Sequence, residues 1–185
     1  MRARLVAAGI ILAAAAGGAG LAVYQAYGPS DSATTGVAGA VDTMPDFAFP
    51  DLSGRTRQSS EWADKVVVLN FWATWCPPCR EEVPAFVDYQ QRYGEAGLQF
   101  VGVAVDQPDP VRDFADTYGV NYPMLIGETD AVALSNRLGN RFSGLPFTVV
   151  FDRKGRVRHR QPGEMTPAML ETHAIPLLGL DPAGG

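Results

Sequence analysis

Two cysteines separated by two prolines are the residues of this chain best suited to chemistry. Cys76 and Cys79 are the only cysteines among 185 residues, and they follow the apolar run Val66 to Trp72. A β-branched apolar run predicts a buried strand. Prolines, here Pro77 and Pro78, are favoured in the first turn of a helix, where a backbone N–H has no intrahelical partner. We therefore expect Cys76 at the N-terminus of a helix that follows a strand.

That position suits a reactive thiol. Unpaired N–H groups and the helix dipole favour negative charge, so we expect the Cys76 thiolate to be favoured near neutral pH. Cys79 lies one turn further into the helix, and we expect it to be less exposed. A structural disulfide across so short a gap would stabilise little, because the entropic benefit grows with loop length. The pair is best interpreted as a reversible dithiol–disulfide couple.

A metal site is the alternative use of two such cysteines. Zinc in structural sites takes about four ligands, and the only histidines, His159 and His173, stand far along the chain. A Cys2His2 site would therefore require long-range convergence. We expect both histidines to be surface residues, and we expect no metal and no cofactor.

The residues around the cysteines resemble the thioredoxin-like, membrane-anchored thiol–disulfide oxidoreductases of the TlpA/ResA type. The matching segments are Asn70 to Pro84 and, much later, Gly144 to Thr148. The resemblance extends from about Met44 to Leu180. It implies an α/β, thioredoxin-like fold, with a central mixed β-sheet, helices on both faces, and an extra βα insertion that corresponds to Asp109 to Leu138.

The resemblance also suggests a base for the second thiol. Thioredoxin has an aspartate on its central strand, and the matching residue here is Asn70, which cannot accept a proton. Glu82 matches the glutamate of the family's active site and lies one helical turn after Cys79. The alternative is that Glu82, like Glu81, is an acidic residue of the first helical turn that the dipole favours.

Further site residues follow from the same resemblance. Pro146 corresponds to a cis-proline that faces the disulfide, and Leu145 before it would offer its N–H and carbonyl to an extended substrate. We expect Trp72 to fill the core beneath the site, and Trp75 to shield the disulfide and form a docking surface. The residues expected to support the site are Asn70, Trp72, Pro77 and Pro78.

The chain divides into three predicted parts. Residues 1–27 carry two arginines and then an uncharged apolar run long enough to cross a bilayer. We predict an uncleaved anchor there, with a cleaved signal peptide as the alternative. Residues 28–43 have little apolar surface and predict a flexible linker. Residues 44–185 would form one domain outside the cytoplasm.

Strands and helices alternate along the predicted domain. Strands are predicted over 46–52 (an edge strand), 65–71, 98–105, 122–126, 147–151 and 156–160, the last two forming a hairpin. Helices are predicted as a short turn at 59–63 and over 78–93 (kinked at Pro84), 109–118, 130–138 and 166–178.

These features predict a reductase of disulfides in exported proteins, such as apocytochrome c during cytochrome c maturation. A membrane electron donor of the thiol-reducing type would regenerate it. The net charge of −5 and the absence of a basic run argue against nucleic acid. Three alternatives stay open. The first is a disulfide-forming oxidant, and the second is a thiol peroxidase, although Thr74 is wrongly spaced from Cys76 for that chemistry. The third is a copper-binding assembly module, although the usual CxxxC-plus-His pattern is absent.

Overall fold

The structure, a computed structural model, describes residues 39–180. The anchor predicted over 1–27 and most of the linker predicted over 28–43 lie outside these residues. Among the helices of the described part, none combines the length and the apolar character that a membrane crossing requires.

The described chain alternates strands with helices as predicted, with boundaries that differ by a few residues. The strands are β1 (Ala48–Pro50), β2 (Thr56–Gln58), β3 (Val66–Trp72), β4 (Leu98–Ala104), β5 (Met124–Ile126), β6 (Phe147–Phe151) and β7 (Val157–Pro162). The helices are α1 (Pro77–Tyr93), α2 (Pro108–Tyr118), α3 (Glu128–Arg137) and α4 (Pro167–His173), and 3₁₀ turns cover Ser59–Trp62 and Ile175–Leu178.

Five strands form one mixed sheet in the order β5-β4-β3-β6-β7. β3 lies at its centre, parallel to β4 and antiparallel to β6. β4 is parallel to β5, and β6 and β7 form the predicted antiparallel hairpin. This is the thioredoxin-like arrangement that the resemblance implied, with the βα insertion contributing β5.

Both faces of the sheet are covered, which explains why β3 is apolar without alternation. All seven residues of β3 are buried. Its residues Val66, Val68 and Trp72 pack with side chains of α1, α2 and α4. The intervening residues, Val67, Leu69 and Phe71, pack with α3, Phe49 and Trp62.

Two predicted elements were wrong in detail. The strand predicted over 46–52 is shorter, and it pairs as β1 with the unpredicted β2 in a separate two-stranded sheet. Its one buried side chain, Phe49, packs on the face of the central sheet. The final helix predicted over 166–178 ends at His173, and a 3₁₀ turn follows it. Pro176 accounts for this break, because it has no N–H to donate and its ring clashes with the preceding helical turn.

The compact part of the chain includes residues just before Met44. The Val41 N–H donates to the Arg137 carbonyl at 3.0 Å, and Asp42 accepts from the Val157 N–H at 2.8 Å. The Arg160 guanidinium donates to the Val41 carbonyl at 2.8 Å and to an Asp42 carboxylate oxygen at 3.0 Å. These last residues of the predicted linker are therefore bound to the sheet.

The prediction that both histidines are simple surface residues was wrong. His159 on β7 and His173 at the end of α4 are half-buried, and their rings stack with centroids 3.7 Å apart and planes 4° apart. Partial burial, and then the charge of His173, lower the pKa of His159. Topology brings the two residues together, because β7 and α4 are consecutive.

This stack predicts a difference in acid stability between the wild-type protein and a His159→Phe variant. A lowered pKa means that the folded state binds fewer protons than the unfolded state, so the contribution of His159 to stability is lost as the pH falls below about 6.5. Phenylalanine can still stack but cannot titrate. We expect urea midpoints to show that the wild-type protein loses more stability than the variant between pH 7.5 and 5. Parallel profiles would contradict this prediction.

Candidate active site

The two cysteines lie where the chain passes from β3 into α1, and they form a disulfide. Cys76 is the extended residue that precedes the helix, and the helix begins at Pro77, one residue earlier than predicted. Cys76 is 4% exposed and Cys79 is fully buried at 0%. The predicted order of exposure is confirmed. The helix continues through Pro84 to Tyr93 without interruption.

A carboxylate from the neighbouring strand fixes the loop before Cys76. Asp106, two residues beyond the end of β4, accepts a hydrogen bond from the Thr74 N–H at 2.9 Å and another from the Thr74 hydroxyl at 2.6 Å. Sequence reasoning missed Asp106. The signal was available, because the carboxyl ends of adjacent parallel strands meet at one edge of the sheet, where sites form.

Glu82 lies in the interior beside β3. It is 2% exposed. Its carboxylate accepts hydrogen bonds from the Asn70 amide at 2.7 Å and from the Met165 N–H at 2.8 Å. The same Asn70 amide group also donates to the Thr148 hydroxyl at 3.0 Å. The structure thus brings Asn70 and Glu82 into direct contact, and it leaves Glu81 on the exposed side of α1.

Burial sets the charge state of Glu82. Removal of the carboxylate from water raises the pKa of Glu82 to about 8, although the hydrogen bonds from Met165 and Asn70 act in the opposite direction. A carboxyl group with such a pKa can both accept and return a proton near neutral pH. The sequence could indicate Glu82 as a candidate but could not indicate Met165, which lies 83 positions away.

The segment that holds Pro146 reaches the surface beside Cys76 through Leu145, since both residues line one groove. The Leu145–Pro146 peptide bond is cis, as the resemblance implied. Within residues 39–180, no hydrogen bond occupies the N–H or the carbonyl of Leu145, whereas the Pro146 carbonyl accepts from the Gly163 N–H at 2.9 Å. Leu145 therefore has a free donor and a free acceptor next to the disulfide.

A groove of about 470 Å³ opens beside Cys76. Trp75 is 67% exposed at this groove, whereas Trp72 is fully buried at 0%, with its ring centroid 4.9 Å from that of Phe114. The groove is lined by Trp75, Cys76, Pro77, Pro78, Val105, Val132, Ser135, Ser143 and Leu145. In the part of the chain that the structure describes, no cluster of three or more His, Cys, Asp or Glu residues is placed to hold a metal ion.

The dithiol can do one kind of chemistry well in this setting. Two cysteines that close a disulfide at a helix N-terminus exchange it with other disulfides through a mixed-disulfide intermediate. The thioredoxin-like fold places them at the carboxyl edge of the sheet, next to a groove. The chain is thus a thiol–disulfide oxidoreductase.

Comparison with known proteins identifies its family. The chain belongs to the redoxin family, whose sequence model matches residues 40–174. It is 35% identical over 132 residues to thiol-disulfide oxidoreductase ResA of Geobacillus kaustophilus, covering 71% of this chain and 74% of the relative. It is also 35% identical over 168 residues to thioredoxin-like protein YneN of Bacillus subtilis, covering 89% of this chain and 93% of the relative.

Solved structures agree with this assignment. A putative thiol:disulfide interchange protein DsbE from Chlorobium tepidum superposes with a TM-score of 0.66 at 29% identity, covering 75% of this chain and 96% of that one. A secreted thiol-disulfide isomerase from Corynebacterium glutamicum gives a TM-score of 0.65 at 26% identity, covering 74% of this chain and 86% of that one. The family and the fold are therefore those that the cysteine motif indicated.

Proposed function

We propose that the protein reduces disulfides of exported proteins, with Cys76 as nucleophile, Cys79 as resolving thiol and Glu82 as base. The observation that carries this proposal is the buried Glu82 carboxyl, bound to Asn70 one helical turn from Cys79, with a pKa raised to about 8. Thiols titrate near 8.5. The pKa of Glu82 is therefore close to that of an ordinary thiol, so Glu82 can take the proton that Cys79 must lose.

The reaction has two exchange steps. In the first, the Cys76 thiolate attacks one sulfur of the substrate disulfide, a bond forms between the two sulfurs, and the other substrate sulfur leaves as a thiolate. In the second, Glu82 takes the proton of Cys79, whose thiolate attacks Cys76. The second substrate sulfur leaves, and the Cys76–Cys79 disulfide closes. The substrate has gained two electrons, and the enzyme has lost them.

Leu145 is proposed to hold the substrate backbone. Its N–H and carbonyl are free within the described residues, and it lines the same groove as Cys76. An extended segment that pairs with this backbone would have its cysteine held beside Cys76, as in strand addition. Trp75, exposed beside it, would cover the disulfide that forms. Recognition by backbone pairing depends little on the substrate's side chains.

We also propose where the protein acts. The sequence-based anchor over residues 1–27 would keep the catalytic domain outside the cytoplasmic membrane, and cleavage of this segment would make the domain secreted or periplasmic. The structural relative from Corynebacterium glutamicum is described as secreted. A thiol-reducing membrane donor would regenerate the dithiol, and oxidised apocytochrome c is the substrate proposed from the resemblance.

The direction of electron flow is tested by the reduction potential of the Cys76–Cys79 pair. We expect the full-length protein in detergent, equilibrated against a dithiol buffer, to give a potential near or below about −230 mV, on the thioredoxin side of the scale. The reduced fraction is measured by thiol alkylation and mass spectrometry. A potential near about −120 mV, on the oxidant side, would overturn the proposed direction and identify a disulfide-forming enzyme.

A further inference from the structure

The connector between β7 and α4, residues 163–166, contacts two parts of the active site. The Gly163 N–H donates to the Pro146 carbonyl at 2.9 Å. The Met165 N–H donates to the Glu82 carboxylate at 2.8 Å. The residue between these two donors is therefore held on both sides by the active site.

That residue is Glu164. The planar peptide bond places its Cα atom about 2.4 Å from the Met165 nitrogen. Since that nitrogen lies 2.8 Å from a carboxylate oxygen of Glu82, the Cα atom of Glu164 is within about 5 Å of the same oxygen. The Glu164 side chain is half-buried. In residues 39–180, no basic side chain forms an ion pair with it.

The groups that face Glu82 differ in charge. β3 supplies the neutral amide of Asn70, and α1 itself supplies Cys79 one turn earlier. Tyr122, just before β5, is a buried phenol whose pKa is raised, first by its own burial and then by the charge of Glu82. Tyr122 is therefore neutral at the pH of the reaction. Glu164 brings a negative charge to the same carboxyl group.

A charge at this position acts on the protonation of Glu82. Burial is the main cause of the raised pKa of Glu82, and the negative charge of Glu164 acts in the same direction. Because one carboxyl group is buried and the other half-buried, the repulsion between them is screened less than it is between two surface charges. We expect this repulsion to be worth about half a pH unit.

We propose that Glu164 sets the pH range over which Glu82 accepts the proton of Cys79 in the second exchange step. Glu164 takes no proton itself, because the proton moves from the Cys79 sulfur to a Glu82 oxygen. Repulsion between the two carboxylates favours the protonated form of Glu82. It therefore makes Glu82 a stronger base, and it reduces the fraction of Glu82 that is ready to accept a proton near neutral pH. This inference rests on the proposed function for the base role of Glu82.

A Glu164→Gln variant tests the effect, because glutamine keeps the shape of the side chain and removes its charge. Ordinary carboxyl groups are ionised above pH 6, so infrared absorption of a protonated carboxyl group between pH 6 and 9 reports on Glu82. Loss of this absorption in Glu82→Gln assigns it. In the oxidised full-length protein in detergent, we expect Glu164→Gln to lower the inflection from about 8 by about half a unit.

The rate of resolution should change in opposite directions on the two sides of this inflection. At pH 6.5, more Glu82 is ionised in Glu164→Gln, and we expect resolution to be about twofold faster than in the wild-type protein. At pH 9.5, Glu82 is ionised in both proteins but is the weaker base in the variant, so resolution should be slightly slower. A substitution that only loosened the structure would slow the step at both pH values.

Two further variants assign the effect to the charge of Glu164. Glu164→Asp keeps the charge and should keep the wild-type inflection. Glu81→Gln removes an exposed carboxylate that is adjacent to Glu82 in sequence, and it should also leave the inflection unchanged. An equal inflection in the wild-type protein and Glu164→Gln, or the same downward shift in Glu164→Asp, would overturn the proposal.

The role of Glu164 and the proposed function fail in different ways. If Glu82 is not the base, Glu82→Gln leaves the resolution rate unchanged, and the proposed function fails. If the role of Glu164 alone is wrong, Glu82→Gln lowers the resolution rate, whereas Glu164→Gln leaves the infrared titration of Glu82 where it was.

Discussion

Replacement of Cys79 by serine is expected to stop turnover and to trap the substrate on the enzyme. Cys76 remains as nucleophile and forms the mixed disulfide, but no second thiol is present to resolve it. Cys79 is bonded to Cys76 in the oxidised protein, so it is the thiol placed to attack the mixed disulfide at Cys76. We expect turnover of a protein disulfide to fall by at least about a thousandfold, and an adduct of one substrate per chain to accumulate.

The matched variant is Cys76→Ser. It lacks the nucleophile, and Cys79 is too buried to replace it, so neither turnover nor an adduct is expected. Non-reducing electrophoresis and intact-mass measurement distinguish the two variants. An adduct that formed with Cys76→Ser but not with Cys79→Ser would reverse the assigned roles of the two cysteines.

A Glu82→Gln variant is expected to slow the second exchange step by about a hundredfold to ten-thousandfold, the range typical of general acid–base catalysis. Glutamine preserves the shape of the side chain but cannot take the proton of Cys79. In the wild-type protein, the rate of resolution should rise with pH to an inflection near 8, as Glu82 ionises. The variant should lose this inflection and keep only the ionisation of the thiol itself. Stopped-flow measurement after mixed-disulfide formation separates this step from the first.

The stability of the same variant separates a base from a structural group. The pKa of Glu82 is raised in the folded state to about 8 from an ordinary value of 4.5. The stability that its protonated form contributes is therefore present below pH 4.5 and is lost as the pH rises towards 8. The Glu82→Gln variant should thus become more stable relative to the wild-type protein at pH 9 than at pH 5, while it is less active.

Two neighbouring substitutions test the role of Glu82, the first as a control and the second by changing its surroundings. Glu81→Gln removes a carboxylate from the exposed side of the same helical turn and should leave the resolution rate unchanged. Asn70→Asp would place a second carboxyl group about where the amide contacts Glu82, at 2.7 Å. Because two carboxylates so close cannot both ionise readily, the inflection in the resolution rate should move to higher pH. An unchanged profile in Asn70→Asp would contradict the role proposed for Glu82.

The sequence by itself determined the elements that carry the chemistry. The apolar run before Cys76, the two prolines after it and the glycine- and proline-containing segment at 144–146 have local consequences: a buried strand, a helix N-terminus and a tight backbone segment. Such signals depend on residues close together in the chain. For that reason the central strand and the active-site helix were predicted within a residue or two, and the family was evident before the fold was known.

The tertiary structure alone decided which distant groups meet. Met165 donates to Glu82 from 83 positions away, and the two histidines stack across β7 and α4. Hydrophobic collapse onto the two faces of the sheet sets these distances, and no local pattern encodes them. The raised pKa of Glu82 has the same origin, since burial depends on what packs over the carboxyl group and not on the residues beside it in sequence.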